Sequence, residues 1–300
     1  MRTALVFGAN GFVGRHVRAA LAAEHHVVAP RRAECDLLVA TVDRMTALVG
    51  AHRPAVVVNC TGLLTGSDHD MMAAHALVTA KLVEAVATAA PRARLVRLGS
   101  AGEYGVVPTG AAVPETWPAE PVSGYGLGHL TATRLMRLAV TAGRLDGVVL
   151  RVFNPIGPGL SPQNVLGRAA RLLRAALAKG APEIVLGPLD AYRDFVDVRD
   201  LALAVATVAA APAAPTVLNV GTGRAVQVRV AVRALAATAG FTGAVVEATP
   251  DDAGRRSAAV PWMCADIAEA GRLGWRPSYE LTDSIKAIWA EAREEAPCMW

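Results

Sequence analysis

A chain of 300 residues in which 53% of side chains are hydrophobic and 19% charged can bury a full core, which excludes a disordered protein and suits one large α/β unit or such a unit with a smaller lobe. A net charge of +4, with the arginines mostly single or in pairs, excludes an electrostatic nucleic-acid binder. Cys35, Cys60, Cys264 and Cys298 lack C-x-x-C spacing, so free thiols in a reducing cytoplasm are expected, with neither disulfides nor a metal site.

The chain opens on Thr3-Ala4-Leu5-Val6-Phe7, an apolar strand, followed at once by Gly8-Ala9-Asn10-Gly11-Phe12-Val13-Gly14 and a helical run from Arg15 to Leu21. Strand, glycine turn and helix in this order form the opening of a dinucleotide-binding unit. The first glycine permits a tight turn, the second lets the backbone approach a pyrophosphate, and the third lets helix pack on strand. The helix N-terminus then offers unpaired N–H groups to phosphate. Because Met1-Arg2 leads straight into the strand, no signal peptide is expected.

The second strand, 26–29, ends in Pro30-Arg31-Arg32 instead of the acid that would bond an NAD ribose. Two guanidiniums there suit a ribose 2′-phosphate, so NADP(H) is preferred and NAD(H) remains possible. Cys35-Asp36-Leu37 would border the adenine. A helix over 42–51 and a buried strand over 55–59 deliver Cys60-Thr61-Gly62 to the carboxyl edge of the sheet, where ligands bind. A long helix over 71–90 carries His75 and Lys81; His75 reads as a packed polar group, and His69 and Asp70 have no metal-ligand partners.

The strand 94–98 brings Gly99-Ser100-Ala101-Gly102-Glu103-Tyr104-Gly105 to the same edge. The apolar period over 127–140 marks a helix, and Tyr125 and His129, four apart, share one side of its start. A strand over 147–153 follows, then a mostly helical segment over 160–180 whose Arg168, Arg171 and Arg174 are expected to rim the substrate side. Asp197 and Asp200 read as helix caps. The uncharged stretch 201–223 has the length of a membrane span, but Pro212, Pro215, Gly221 and Gly223 break it into helix, loop and strand. Helices are expected over 227–239 and 281–292. Arg255, Arg256 and Trp262 are placed on a loop over the substrate, and 294–300 reads as a frayed tail. The alternation of strand and helix points to an α/β fold, a Rossmann-type doubly wound parallel sheet with a smaller C-terminal lobe. The expected division is a core over 1–155 and a substrate lobe over 156–300, with about 190–225 returning to the core.

GANGFVG, NCTG, LGSAGEYG, RVFNPIGPG, RDFVDVRD and LNVGTG, in this order, resemble the motifs of the extended short-chain dehydrogenase/reductases, a family of nucleotide-sugar epimerases, dehydratases and 4-keto reductases. The resemblance covers nearly the whole chain and also extends to angucyclinone ketoreductases. It implies a cofactor site at Gly8, Asn10, Gly11, Phe12, Val13, Gly14, Arg31, Arg32, Cys35, Asp36, Leu37, Cys60, Thr61, Gly62, Leu98, Tyr125, His129, Asn154 and Ile156. It implies catalysis by Ser100, Tyr125 and His129: hydride from the nicotinamide, a hydrogen bond from Ser100 and proton transfer at Tyr125. Glu103, at a position where the family's dehydratases use carboxylates, reads as a loop residue. The family also pairs through two long helices, here 71–90 and 125–143, so the protein is expected as a monomer or homodimer acting on a small-molecule ketone, with no nucleic-acid or membrane partner.

The chain departs from the family at one place. YGLGH stands where the family has Y-x-x-x-K, whose lysine lowers the tyrosine pKa and holds the nicotinamide ribose. A phenol titrates near ~10 and an imidazole near ~6.5, so histidine gives no permanent charge at neutral pH. Four readings stay open: His129 replaces lysine in a weakened relay, active where imidazole is protonated; the substrate supplies its own acid, as a phenol beside the ketone would; the site is inert and the protein is a cofactor-binding regulator; or both side chains merely pack. The expected activity is NADPH-dependent reduction of a specialised-metabolite ketone, an aromatic polyketide first, with a nucleotide-sugar 4-keto reductase or 4-epimerase as the alternative.

Overall fold

The computed structural model describes residues 1–248 and 260–291. Strands β1 (Arg2–Phe7), β2 (His25–Val28), β3 (Val56–Asn59), β4 (Arg94–Ser100), β5 (Asp146–Val152) and β10 (Val217–Val220) form one parallel sheet in the order β2-β1-β3-β4-β5-β10. Its strands are mostly apolar along their middles because both faces are covered. Helices α1 (Phe12–Leu21) and α7 (Val198–Ala210) lie on the side of Val6, Val58, Val148 and Leu150. Helices α2 (Val42–His52), α4 (Val78–Ala89) and α5 (Gly124–Thr141) lie on the side of Leu5, Val57, Leu95 and Val149. These two sets of residues alternate along each strand, as the pleat requires. Strand order reverses between β1 and β3, which opens a crevice beyond the carboxyl ends of those strands.

After β5 the chain leaves the sheet and builds a second core. Here β6 (Pro155–Ile156) pairs with β9 (Val196–Asp197), and β7 (Glu183–Leu186) with β12 (Ala244–Glu247). Strand β8 (Tyr192–Asp194) lies between β11 (Ala225–Gln227) and β13 (Trp262–Met263). Around them, α6 (Val165–Lys179), α8 (Val228–Thr238) and α10 (Leu281–Glu291) bury Leu166, Leu173, Leu235 and Ile288 together. The short helix α9 (Ala268–Arg272) inserts Ala270 into the core under α7.

Several elements differ from their expected form. The long helix begins earlier, as α3 (Asp68–Met71), because Ser67 and Asp70 form a capping box: Ser67 Oγ accepts from Asp70 N at 3.2 Å and Asp70 Oδ2 accepts from Ser67 N at 3.0 Å. Met72–Leu77 is then a π-helical turn before α4. Helix α6 starts only at Val165, capped by Asn164, since the glycines and prolines of 157–162 cannot carry a helix. The stretch 201–223 resolves into part of α7, a turn and β10. Arg174 packs on α10 of the second core: its guanidinium lies 4.3 Å from the Trp289 ring centroid and donates to the Trp289 carbonyl. Trp262 belongs to a strand, not a loop, and its indole N–H donates to Ala111 O at 2.8 Å. Of the two acids read as caps, Asp197 caps α7, accepting from Arg199 N at 2.8 Å, whereas Asp200 sits inside that helix and accepts from the Ser278 and Tyr279 amides. Arg255, Arg256 and the tail 294–300 lie outside the described residues.

One glycine sets how close α1 comes to β1. A β-carbon on Gly14 would stand 1.9 Å from the Gly8 carbonyl oxygen. Gly14→Ala should therefore cost about 1–3 kcal/mol as the helix is pushed off the turn. Gly50, inside α2 with its nearest neighbour 3.7 Å from a built β-carbon, should gain about 0.5–1 kcal/mol on replacement by alanine. Urea unfolding of the two variants checks both signs.

Candidate cofactor and active site

The crevice at the end of β1 is a backbone cradle. Gly8 has φ +73°, and a β-carbon there would meet the Cys60 carbonyl carbon at 2.9 Å, so only glycine serves. Gly11 is the N-cap of α1 and brings no capping side chain, and the first turn of the helix holds no acid. The leading N–H groups of α1 are thus left for an anion. The pocket they open into is lined by Gly8, Asn10 and Gly11, by Arg31, Arg32, Cys35, Asp36 and Leu37, and by Thr61 and Gly62. Leu38, Leu63, Ala74 and Val78 complete its apolar wall. These residues fit a dinucleotide: turn and helix N-terminus for pyrophosphate, apolar wall for a base.

The two arginines are not alone. Arg31 N donates to Glu34 Oε2 at 2.6 Å, with the guanidinium 3.6 Å from the same oxygen, and Arg32 Nε donates to Asp36 Oδ2 at 2.8 Å. The acids absent from the strand end thus arrive within the next turn. Both arginine side chains remain about three-quarters exposed, at 76% and 77%. Exposed pairs of this kind are worth at most about 1 kcal/mol, so a phosphate dianion can compete for either guanidinium.

Other expected cofactor residues do not line this pocket. Phe12, Val13 and Gly14 form the first turn of α1 and contribute its leading backbone N–H groups, not their side chains. Cys60 has a buried thiol, pushed up to about 12, and bonds Phe7 O through its backbone N–H at 3.0 Å. Leu98 packs against the sheet core. Asn154, at φ 27°, donates its side-chain amide to Asp194 O at 3.2 Å, and Ile156 is fully buried in the second core.

Ser100, Tyr125 and His129 are brought together from β4 and α5. Ser100 ends β4 and caps the 3-10 turn Ala101–Glu103, its Oγ accepting from Gly102 N at 3.0 Å. Glu103, fully buried, accepts from Ser100 N at 3.1 Å and from Arg151 Nε at 2.9 Å, so it holds the turn. Helix α5 starts at Ser123, whose Oγ accepts from Gly126 N at 3.2 Å. Glycines on this helix allow an approach nothing larger would: a β-carbon on Gly126 would stand 2.3 Å from Gly102 O, and one on Gly128 2.9 Å from Met71 O. As a result the Tyr125 ring and Ser100 Oγ meet over Gly102, 3.5 and 3.3 Å from where its β-carbon would be. Burial pushes the Tyr125 phenol up, while the Ser100 hydroxyl and the Arg97 guanidinium pull it back.

His129 is buried with its Nδ1 3.2 Å from Arg97 Nη2. A guanidinium only donates, so Nδ1 must accept and the ring proton sits on Nε2. Burial, then the charge of Arg97, holds His129 well below its ordinary range, so the ring is neutral at physiological pH. An imidazolium therefore does not take the lysine's place.

Two further residues complete this cluster: His75, packed and polar as expected but not among the expected site residues, and Arg97. The π-helical turn places His75 with its ring centroid 3.9 Å from that of His129 and 5.5 Å, edge-on, from that of Tyr125. His75 Nε2 donates to Leu63 O at 3.0 Å. Arg97 lies on β4, buried, with Nε donating to Thr79 Oγ1 at 2.9 Å. The one signal for Arg97 is an arginine in the middle of a buried strand, between Val96 and Leu98, which asks for a reason. Among the described residues no group of His, Cys, Asp and Glu could hold a metal.

A doubly wound sheet with this cradle at its switch point, and Ser100 and Tyr125 beside it, defines a Rossmann-type oxidoreductase. Residues 4–221 match the NAD dependent epimerase/dehydratase family, and the chain belongs to that family of extended short-chain dehydrogenase/reductases. The dTDP-6-deoxy-L-talose 4-dehydrogenase (NAD(P)(+)) of Kitasatospora kifunensis is 39% identical over 97% of this chain and 96% of its own length. The GDP-6-deoxy-D-mannose reductase of Pseudomonas aeruginosa is 29% identical over 95% of each chain. The structure of RMD from Pseudomonas aeruginosa complexed with NADPH superposes with a TM-score of 0.84 at 25% identity, covering 97% of this chain and 99% of that one.

The two histidines make stability depend on pH. Both bind a proton more weakly folded than unfolded, so as pH falls below 6.5 the unfolded chain takes up protons first and stability is lost down to about 4, the value for His75. The pH 7 to 4.5 loss of unfolding free energy should shrink by about 2 kcal/mol in His75→Asn, measured by urea titration at both values.

Proposed function

We propose that the protein is an NADPH-dependent reductase of the 4-keto group of a deoxysugar nucleotide, converting the ketone to an alcohol with NADPH and a proton, and reversibly the alcohol to the ketone with NADP. The observation that carries this reading is the meeting of Ser100 and Tyr125 over Gly102, at the sheet edge that also forms the cofactor cradle. The full-length similarity to a 4-dehydrogenase of a dTDP-deoxysugar favours a sugar nucleotide over the aromatic polyketide expected first.

When bound, the nicotinamide gives or takes the hydride. The residues of the chain supply the rest. Ser100 Oγ accepts from Gly102 N, and its own O–H, which bonds the Tyr125 phenol, would turn to donate to the carbonyl oxygen and stabilise the developing alkoxide. Tyr125 passes its phenolic proton to that oxygen. Glu103 and Arg151 keep the Ser100 turn in place. Arg31 and Arg32, exposed and only weakly paired, would take the 2′-phosphate.

NADPH oxidation should be seen with dTDP- or GDP-4-keto-6-deoxyhexoses. Tyr125→Phe should lower kcat by about 10²–10⁴ and Ser100→Ala by about 10–10³. Reduction of phenolic ketones alone, with Tyr125→Phe as active as the parent, would sink the sugar-nucleotide reading; a tightly held cofactor that is never consumed would point to an epimerase. Replacing Arg31 and Arg32 together with alanine should weaken NADPH about tenfold or more and leave NADH nearly unchanged, by fluorescence titration.

A further inference from the structure

A phenol that must exchange a proton near neutral pH needs a fixed positive charge beside it. Helix α5 provides none, since His129 is a neutral ring. Tyr125 is faced by Ser100 and Arg97 from β4, by Glu103 from the turn after it, by His75 from the π-helical turn and by His129 from its own helix. Of these groups only Arg97 is a permanent cation.

Its setting is unusual for an arginine. Arg97 is 3% exposed, and none of the ion pairs among the described residues includes it. Its partners are neutral: Thr79 Oγ1 at 2.9 Å and His129 Nδ1 at 3.2 Å. Thr79 Oγ1 in turn donates to the His75 carbonyl at 2.6 Å, which ties the guanidinium to the π-helical turn. Burying a charge whose hydrogen-bond partners are neutral is costly, and burial lowers Arg97 to about 10 although the nearby Glu103 carboxylate and the Tyr125 phenol pull it back up, so it is still charged at pH 7. Two buried donors in this cluster have no partner among the described residues: Arg97 Nη1 and His129 Nε2. Buried donors left unpaired in a native fold ask for an explanation, and beside a cofactor cradle an acceptor on the bound ligand is one.

We propose that Arg97 is a positioning residue for Tyr125: its guanidinium pins His129 as the Nε2–H tautomer and supplies, from strand β4, the permanent charge that helix α5 lacks, leaving His129 Nε2 to donate to a hydroxyl of the bound cofactor or substrate. The inference rests on the reductase reading for its kinetic arm only. The tautomer and the cofactor affinity can be read without any sugar nucleotide.

The first arm is ¹⁵N NMR of the histidine rings, with His129→Asn to assign the signal. His129 should show a bare Nδ1 and a protonated Nε2 from about pH 5 to 8. A proton on Nδ1, or an imidazolium at pH 7, would overturn the proposal, and this arm needs no Arg97 variant to fold. The second arm moves the charge. Arg97→Gln should free the tautomer, weaken NADP binding and lower kcat at neutral pH by about tenfold or more, with the alkaline limb of the reduction profile moved up by about one pH unit. His129→Lys alone sets a second cation against Arg97 and should also be impaired. The pair Arg97→Gln with His129→Lys keeps one cation in the cluster and should recover most of the rate and the limb. A merely structural Arg97 predicts a double variant no better than Arg97→Gln, and that result would refute the proposal. If no keto sugar is reduced while the tautomer and the loss of NADP affinity behave as stated, the substrate reading alone has failed.

Discussion

The ligand-binding edge of this protein depends on backbone meeting backbone where a β-carbon would not fit. Gly14 lets α1 seat on the Gly8 carbonyl, and Gly126 lets α5 seat on the carbonyl of Gly102. Gly105 does the same against Glu120, whose carbonyl would stand 1.8 Å from an added β-carbon. Each helix glycine costs up to about 1 kcal/mol of backbone entropy, so their placement at these contacts shows how much the close approach contributes. The first contact shapes the cradle for a dinucleotide. The second brings a tyrosine on a helix to a serine on a strand.

The polar cluster behind that tyrosine follows a different logic. Arg97, His75 and His129 are all buried, and only one of them is charged. A buried network of this kind is either well satisfied or expensive. Here it is satisfied on the protein side except at two donors, which leaves hydrogen-bonding capacity beside Ser100 and Tyr125. Desolvation keeps the histidines neutral, and their neutrality leaves the Arg97 guanidinium as the one positive charge at the phenol, set against the Glu103 carboxylate.

The fold was legible because its signals are local. The glycine turn, the apolar strands and the order of the later motifs identify the sheet and its edge without any tertiary information. The convergence of Ser100 and Tyr125 was legible by resemblance. The rest of the site was not, for a physical reason: residues 75, 97 and 129 lie on three elements that meet only when the sheet is covered, and a π-helical turn decides the facing of His75. Side-chain direction was not legible in the second half either. The helical spacing of Arg174 shows its face of the helix but not that it stacks on Trp289. At the second strand the sequence shows the arginines plainly, but not that Glu34 and Asp36 fold back on them.

The path of the chain through the main sheet has a consequence for how the protein comes into being. The sheet is left at Val152 and rejoined at Val217, where β10 pairs with β5 and Phe153 N bonds Val220 O at 2.9 Å. Between those points the chain has laid down β6, α6, β8 and α7, and α7 has returned to cover α1 at the opposite end of the sequence. On a ribosome, the first five strands therefore wait with one face covered by α1 alone until some 200 residues have emerged. Such long-range closure makes for slow folding and a period of exposed apolar surface. The late-made second core and the early-made sheet are thus knitted into one cooperative body, and a chain stopped before β10 would present an open strand edge to its neighbours.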